Sequence, residues 1–121
     1  MQFVSTRGQA PVLGFSDAVL AGLASDGGLY VPQSWPQVSA GEIAGFAGKP
    51  YADIAYAIIS RFTGDEIDPA RLRAIIEQSY SVFRHPSVAP LVELEPNHFV
   101  LELFHGPTLA FKDVAMQFLS R

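Results

Sequence analysis

One lysine stands out in the stretch "LELFHGPTLAFKDVAMQFLSR", Leu101 to Arg121. Lys112 follows a His-Gly-Pro-Thr turn and lies between Phe111 and Asp113. A lysine amine in water is protonated, with a pKa of about 10.4. Leu109, Ala110, Phe111 and Val114 could desolvate it, and desolvation favours the neutral amine and frees its lone pair. The start of a helix, with its partial positive charge, disfavours the ammonium further. A lysine held on a strand-to-helix turn is therefore suited to form an imine with an aldehyde. The competing reading is a surface lysine in a first helical turn, paired with Asp113. Residue types alone favour that second reading.

The other polar residues of the stretch carry weaker signals. Asp113 reads as a helix-start carboxylate that complements the dipole. His105 precedes Gly106-Pro107 and could carry a proton or contact a phosphate, although a lone histidine at a turn is more often structural. His85 and His98 show no metal-site spacing with His105 or with nearby carboxylates. Thr108 is best read as a cap of the last helix. Gly27-Gly28 lacks the repeated glycines of a phosphate cradle and reads as a helix stop. No Ser/His/Asp set and no pair of general-acid carboxylates stands out.

These residues need a scaffold, and the composition says of what kind. The 121 residues are 49% hydrophobic and 17% charged, with nine Phe, which describes a globular domain of modest size. Eight scattered Lys and Arg, at a net charge of -4, form no basic stripe, so a nucleic-acid partner is not expected. No apolar run is long enough to span a membrane, and "MQFVSTRG" lacks the layout of a signal peptide. With no cysteine, disulfides and thiolate metal sites are excluded, and a cytoplasmic location is expected.

Along the chain, "QFVS" is a strand candidate and "STRGQAPVLG" a loop. In "FSDAVLAGLASDGG", Ser16 is the expected N-cap, Phe15 and Leu20 a hydrophobic staple, and Gly27-Gly28 the stop. "LYVP" resumes an extended run. "SAGEIAGFAG" carries a capping box, Ser39 with Glu42, and is expected to end at Gly48. A helix should run from Pro50 to Gly64 with Ile54, Ile58, Ile59 and Phe62 on one face. Another should start with Asp68 as N-cap and Pro69, presenting Leu72, Ile75, Ile76, Ser79, Tyr80 and Phe83 until His85-Pro86 breaks it. "PLVEL" and "FVLELF" read as a hairpin about Glu95-Pro96-Asn97-His98, and a last helix opens near Ala110 and Phe111.

Two of these segments are together specific. "STRG" (Ser5 to Gly8) followed by "FSDAVLAGLASDGGLYVP" (Phe15 to Pro32) resembles the amino-terminal signature of threonine synthases. "LELFHGPTLAFKD" (Leu101 to Asp113) resembles the segment of those enzymes that bears the pyridoxal-phosphate lysine. "FTGDEI" and the helix after it are similar as well, so the resemblance runs in order over nearly the whole chain.

The resemblance implies an α+β fold. A helix-rich amino-terminal domain with a few short strands, residues 1–98, would precede the first strand-turn-helix of a fold type II α/β pyridoxal-phosphate lobe, residues 99–121. It implies conversion of O-phospho-L-homoserine and water to L-threonine and phosphate, with pyridoxal 5'-phosphate as cofactor. Lys112 matches the Schiff-base lysine, catalytic and cofactor-binding at once. His105, Gly106, Pro107, Thr108, Phe111 and Asp113 match the motif that presents it. Two alternatives stay open: a threonine-synthase-like phospho-lyase acting on another phosphorylated amino acid, or a non-catalytic domain of the same fold.

Family members run to several hundred residues, and their phosphate cradle and most of their substrate site lie downstream of this motif. The chain is accordingly expected to be an amino-terminal fragment, inactive alone, whose partner is the missing carboxy-terminal part. Its tail from about Phe99 is expected to be poorly anchored or to pair with another copy through an open strand edge.

Overall fold

In the computed structural model, which describes residues 1–121, the first extended run, β1 (Phe3–Ser5), lies antiparallel to β2 (Tyr30–Pro32) with Val4 opposite Val31. Between them runs α1 (Phe15–Ala21). After β2 come α2 (Ala40–Ala44), α3 (Tyr51–Thr63) and α4 (Pro69–Tyr80). A hairpin of β3 (Leu91–Glu95) and β4 (His98–Leu101) follows, and then α5 (Asp113–Leu119). The expected mixture of helices and short strands is present. The chain forms two compact units, one of residues 1–47 with 57–69 and one of residues 48–56 with 70–121, so α3 passes from the second into the first.

In the first unit, Phe3, Ser5, Ala18, Ala24 and Thr63 are buried, and the Phe3 and Phe15 rings lie 6.0 Å apart. Several boundaries differ from the sequence expectation. Helix α1 starts at Phe15, with Gly14 rather than Ser16 in the cap position and no cap bond from its own side chain. The cap comes from Glu66, whose carboxylate accepts the amides of Phe15 at 2.7 Å and Ser16 at 2.9 Å. Two of the amides that a helix start leaves unpaired are satisfied from 50 residues away. Leu20 is 84% exposed, so the expected staple is absent. The helix stops at Gly22, at φ 66°, well before Gly27-Gly28.

The capping box of α2 is formed as read, with Ser39 and Glu42 each accepting the other's backbone amide. That helix nonetheless ends at Gly45, and Gly48, at φ 72°, lies in the following turn. Arg61 of α3 bonds the Glu42 carboxylate and the Gln37 carbonyl, and Phe62 meets Trp35 edge-on at 6.4 Å. Gly64, at φ 56°, closes α3 where expected.

In the second unit, α4 buries Leu72, Ile76 and Ser79, a stripe at four-then-three spacing. It starts at Pro69 as read and ends at Tyr80, short of Phe83, which belongs to a turn closed by Phe83 N–H to Tyr80 O at 3.2 Å. Arg73 pairs with Asp53 at 2.7 Å and stacks 4.6 Å from the Tyr56 ring. The hairpin pairs Leu91 with Leu101 and Val92 with Val100. Its turn is only Pro96-Asn97, with Asn97 at φ 62°, because Glu95 and His98 already pair. Strand β4 ends at Leu101 rather than Phe104.

The segment after β4 is tied down. Glu102 N–H donates to Pro90 O at 2.9 Å, Arg84 N–H to His105 O at 2.9 Å, and the Tyr80 hydroxyl to Val114 O at 3.1 Å. These bonds differ from the expected loose tail: those of Arg84 and Tyr80 reach the end of α4 and the turn after it, and that of Glu102 reaches the residue before β3.

Candidate functional site

The turn from His105 to Asp113 is organised by a carboxylate. Asp113 is 3% exposed, and its Oδ2 accepts both the N–H and the hydroxyl of Thr108, each at 2.8 Å. Its Oδ1 accepts from Gln117 Nε2 at 3.2 Å. Burial pushes this carboxyl's pKa up, but the Thr108 and Gln117 donors outweigh burial and leave it below the usual value. Gly106 packs so tightly against Asp113 that an added Cβ would lie 2.4 Å from the aspartate Cβ. Leu109 takes φ 63°, a left-handed conformation that costs a non-glycine residue energy.

Lys112 occupies the N-cap position of α5 with helical dihedrals, φ -62° and ψ -22°. Its carbonyl accepts the amides of Ala115 at 3.1 Å and Met116 at 2.8 Å. The side chain is exposed and carries neither a hydrogen bond nor an ion pair. The expected pairing with Asp113 is absent, since that carboxylate is committed to Thr108 and Gln117. The expected apolar surroundings are open too, with Leu109 at 55% and Phe111 at 64% exposure. Thr108 clasps Asp113 instead of capping α5.

His105 is held in place as a structural residue would be. Its Nε2 lies 2.7 Å from Glu102 Oε2, and its ring is 4.7 Å from Phe104 and 5.1 Å from His85. No three His, Asp or Glu side chains gather as a metal site would require. Two clefts of about 320 and 480 Å³ share Pro50, Tyr51 and Pro86, and Lys112 lines neither.

The first unit contains a second carboxylate hub, which accounts for the spacing of "STRG" and "SDGG". Asp26 Oδ1 accepts the Ser5 hydroxyl at 2.7 Å and Gly28 N–H at 2.9 Å. Its Oδ2 accepts Gln9 N–H at 2.9 Å and Ala10 N–H at 3.0 Å. The Ser5 hydroxyl leads the bonds that lower its pKa to about 2. A Cβ on Gly28 would meet Ser5 Oγ at 2.3 Å, so this position excludes a side chain.

Asp26, Glu66 and Tyr80 are the organising residues that sequence reasoning did not single out. The first had a usable signal, because an aspartate before Gly-Gly commonly binds its own turn backbone. The other two act across 50 and 34 residues, beyond any local pattern.

Residues 2–80 match the family model described as "Threonine synthase N terminus". The chain is 54% identical over its whole length to the Pseudomonas aeruginosa threonine synthase, of which it covers 26%. It is 38% identical to the human protein named threonine synthase-like 2, over 96% of this chain and 24% of that protein. The solved structure of the threonine synthase from Brucella melitensis, described as bound to pyridoxal phosphate, aligns over 99% of this chain and 26% of its own. That alignment has a TM-score of 0.95 at 59% identity. The chain thus spans about a quarter of the length of the relatives it matches. With the amino-terminal family model, the sequence relatives and the solved fold in agreement, this chain belongs to the threonine synthase family, whose amino-terminal part it matches.

Proposed function

We propose that this chain is the amino-terminal part of an enzyme that converts O-phospho-L-homoserine and water to L-threonine and phosphate. In this reading residues 1–98 form its amino-terminal domain and residues 99–121 open its cofactor-binding lobe. Lys112 is the residue that would hold pyridoxal 5'-phosphate, with its Nζ as the amine that meets the cofactor's aldehyde. One observation carries the reading: an uncommitted lysine amine projects from a backbone turn that a buried aspartate fixes in place. The residues present fit an aldehyde cofactor, because Nζ competes with no ion pair.

When bound, the cofactor supplies an electron sink for a carbanion next to its imine nitrogen. The chain's part is to deliver one amine at a set position and to keep that amine able to take and return a proton once substrate has displaced it. Asp113 is the weaker base of the two, since the Thr108 and Gln117 donors stabilise its buried carboxylate and hold its pKa below the usual value.

Borohydride reduction of the full-length protein with pyridoxal phosphate, followed by peptide mapping, tests the assignment. The expected label is on Lys112, and Lys112→Ala should carry none. A label on another residue would overturn it. The alternative is a threonine-synthase-like phospho-lyase acting on another phosphorylated amino acid. Turnover of phosphothreonine in place of phosphohomoserine would select that reading. Absence of any label and any turnover would favour a non-catalytic domain.

A further inference from the structure

Because the Lys112 side chain has no partner of its own, only the backbone decides where its amine can reach. Helix α5 cannot supply that stability unaided, since seven residues are too few for a helix to hold in isolation. Lys112 is instead fixed from both flanks. Upstream, the buried Asp113 carboxylate draws in Thr108 by two bonds of 2.8 Å, closing the turn that Gly106 and Leu109 shape. Downstream, the Tyr80 hydroxyl donates to the carbonyl of Val114, two residues past the lysine, at 3.1 Å.

Tyr80 makes a firm post. Its ring meets Tyr51 at 4.8 Å and Phe83 at 5.7 Å, and it follows directly on the fully buried Ser79 of α4. Burial also raises the pKa of the phenol, which keeps the hydroxyl a donor. The bond spans 34 residues and joins α5 to the best-buried helix of its unit.

We propose that Tyr80 and the Thr108–Asp113 clasp are positioning residues for Lys112, setting the place from which its amine meets an aldehyde. The proposal rests on Lys112 being the cofactor lysine. A displacement of 1 Å at a reacting group can cost about 100-fold in rate, so partial loosening should be visible.

The test uses the full-length protein with Tyr80→Phe, Thr108→Val and Thr108→Ser. Pyridoxal phosphate is added to the cofactor-free protein, and the attachment rate is followed by visible absorbance. The label is mapped after borohydride, and folding is checked by circular dichroism. Tyr80→Phe removes one oxygen and keeps the packed ring, so it should fold and attach the cofactor about tenfold more slowly, still at Lys112. Thr108→Val should slow attachment similarly, while Thr108→Ser, which keeps the hydroxyl, should restore it. Wild-type rates in both Tyr80→Phe and Thr108→Val, with the label on Lys112, would overturn the positioning role alone. A wild-type label on another residue would overturn the lysine assignment and the positioning role with it.

Discussion

Glu66 accepts the backbone N–H of Phe15 at 2.7 Å, across 51 residues of sequence. The residue whose backbone N–H closes the turn after α3, onto Thr63 O at 3.3 Å, thus caps α1 with its carboxylate, and the Ser16 and Phe15 amides hold that carboxyl's pKa below the usual range. Gly14 makes room for it, since a Cβ there would lie 2.8 Å from Glu66 Oε1. Glu66→Ala should lower the stability of the chain by about 0.5–1 kcal/mol, the low end for a lost N-cap because the site is exposed. Urea denaturation measures the loss, and hydrogen exchange should show α1 opening before α4.

Ile76 is fully buried on α4, one turn before Tyr80. Ile76→Ala removes methylenes from a packed site and should cost about 2–5 kcal/mol. Equilibrium denaturation checks this. A cost well under 1 kcal/mol would mean that the α4 stripe is not a core.

Gly106→Ala would place a Cβ 2.4 Å from the Asp113 Cβ, where no flexible side-chain end can yield. The turn must open or Asp113 must leave Thr108. The expected result in the full-length protein is a folded variant whose pyridoxal phosphate attachment is slowed by at least about tenfold. Attachment at the wild-type rate would show that the turn tolerates the shift.

Asp26 gives the first unit an acid-sensitive point. Its folded pKa of about 2 lies below its ordinary 3.8, so the folded chain binds its proton less readily than the unfolded chain. The stability it contributes is complete above about pH 4 and is lost as pH falls through about 2. Glu42, held at about 2 by the Ser39 amide and Arg61, acts in the same direction. Thermal midpoints should therefore fall steeply between pH 4 and pH 2. Asp26→Asn should be less stable at pH 7 and flatter across that window.

The sequence by itself determined which segments are helical and where several of them begin or end. Ser39 with Glu42, Pro69 and Gly64 act on backbone groups within a few residues, so their chemistry is legible in one dimension. It also marked Lys112 and its turn, through a motif of residues adjacent in the chain. Tertiary structure alone decided what holds that turn. Sequence reading made Asp113 a dipole partner and Thr108 a cap, but the fold buried the carboxylate and joined the two. It likewise took the α1 cap from Ser16 and gave it to Glu66, and set Tyr80 against Val114. A side chain's partner is whichever unsatisfied donor or acceptor the packed chain brings within about 3 Å, and residues tens of positions apart meet only after the core has closed.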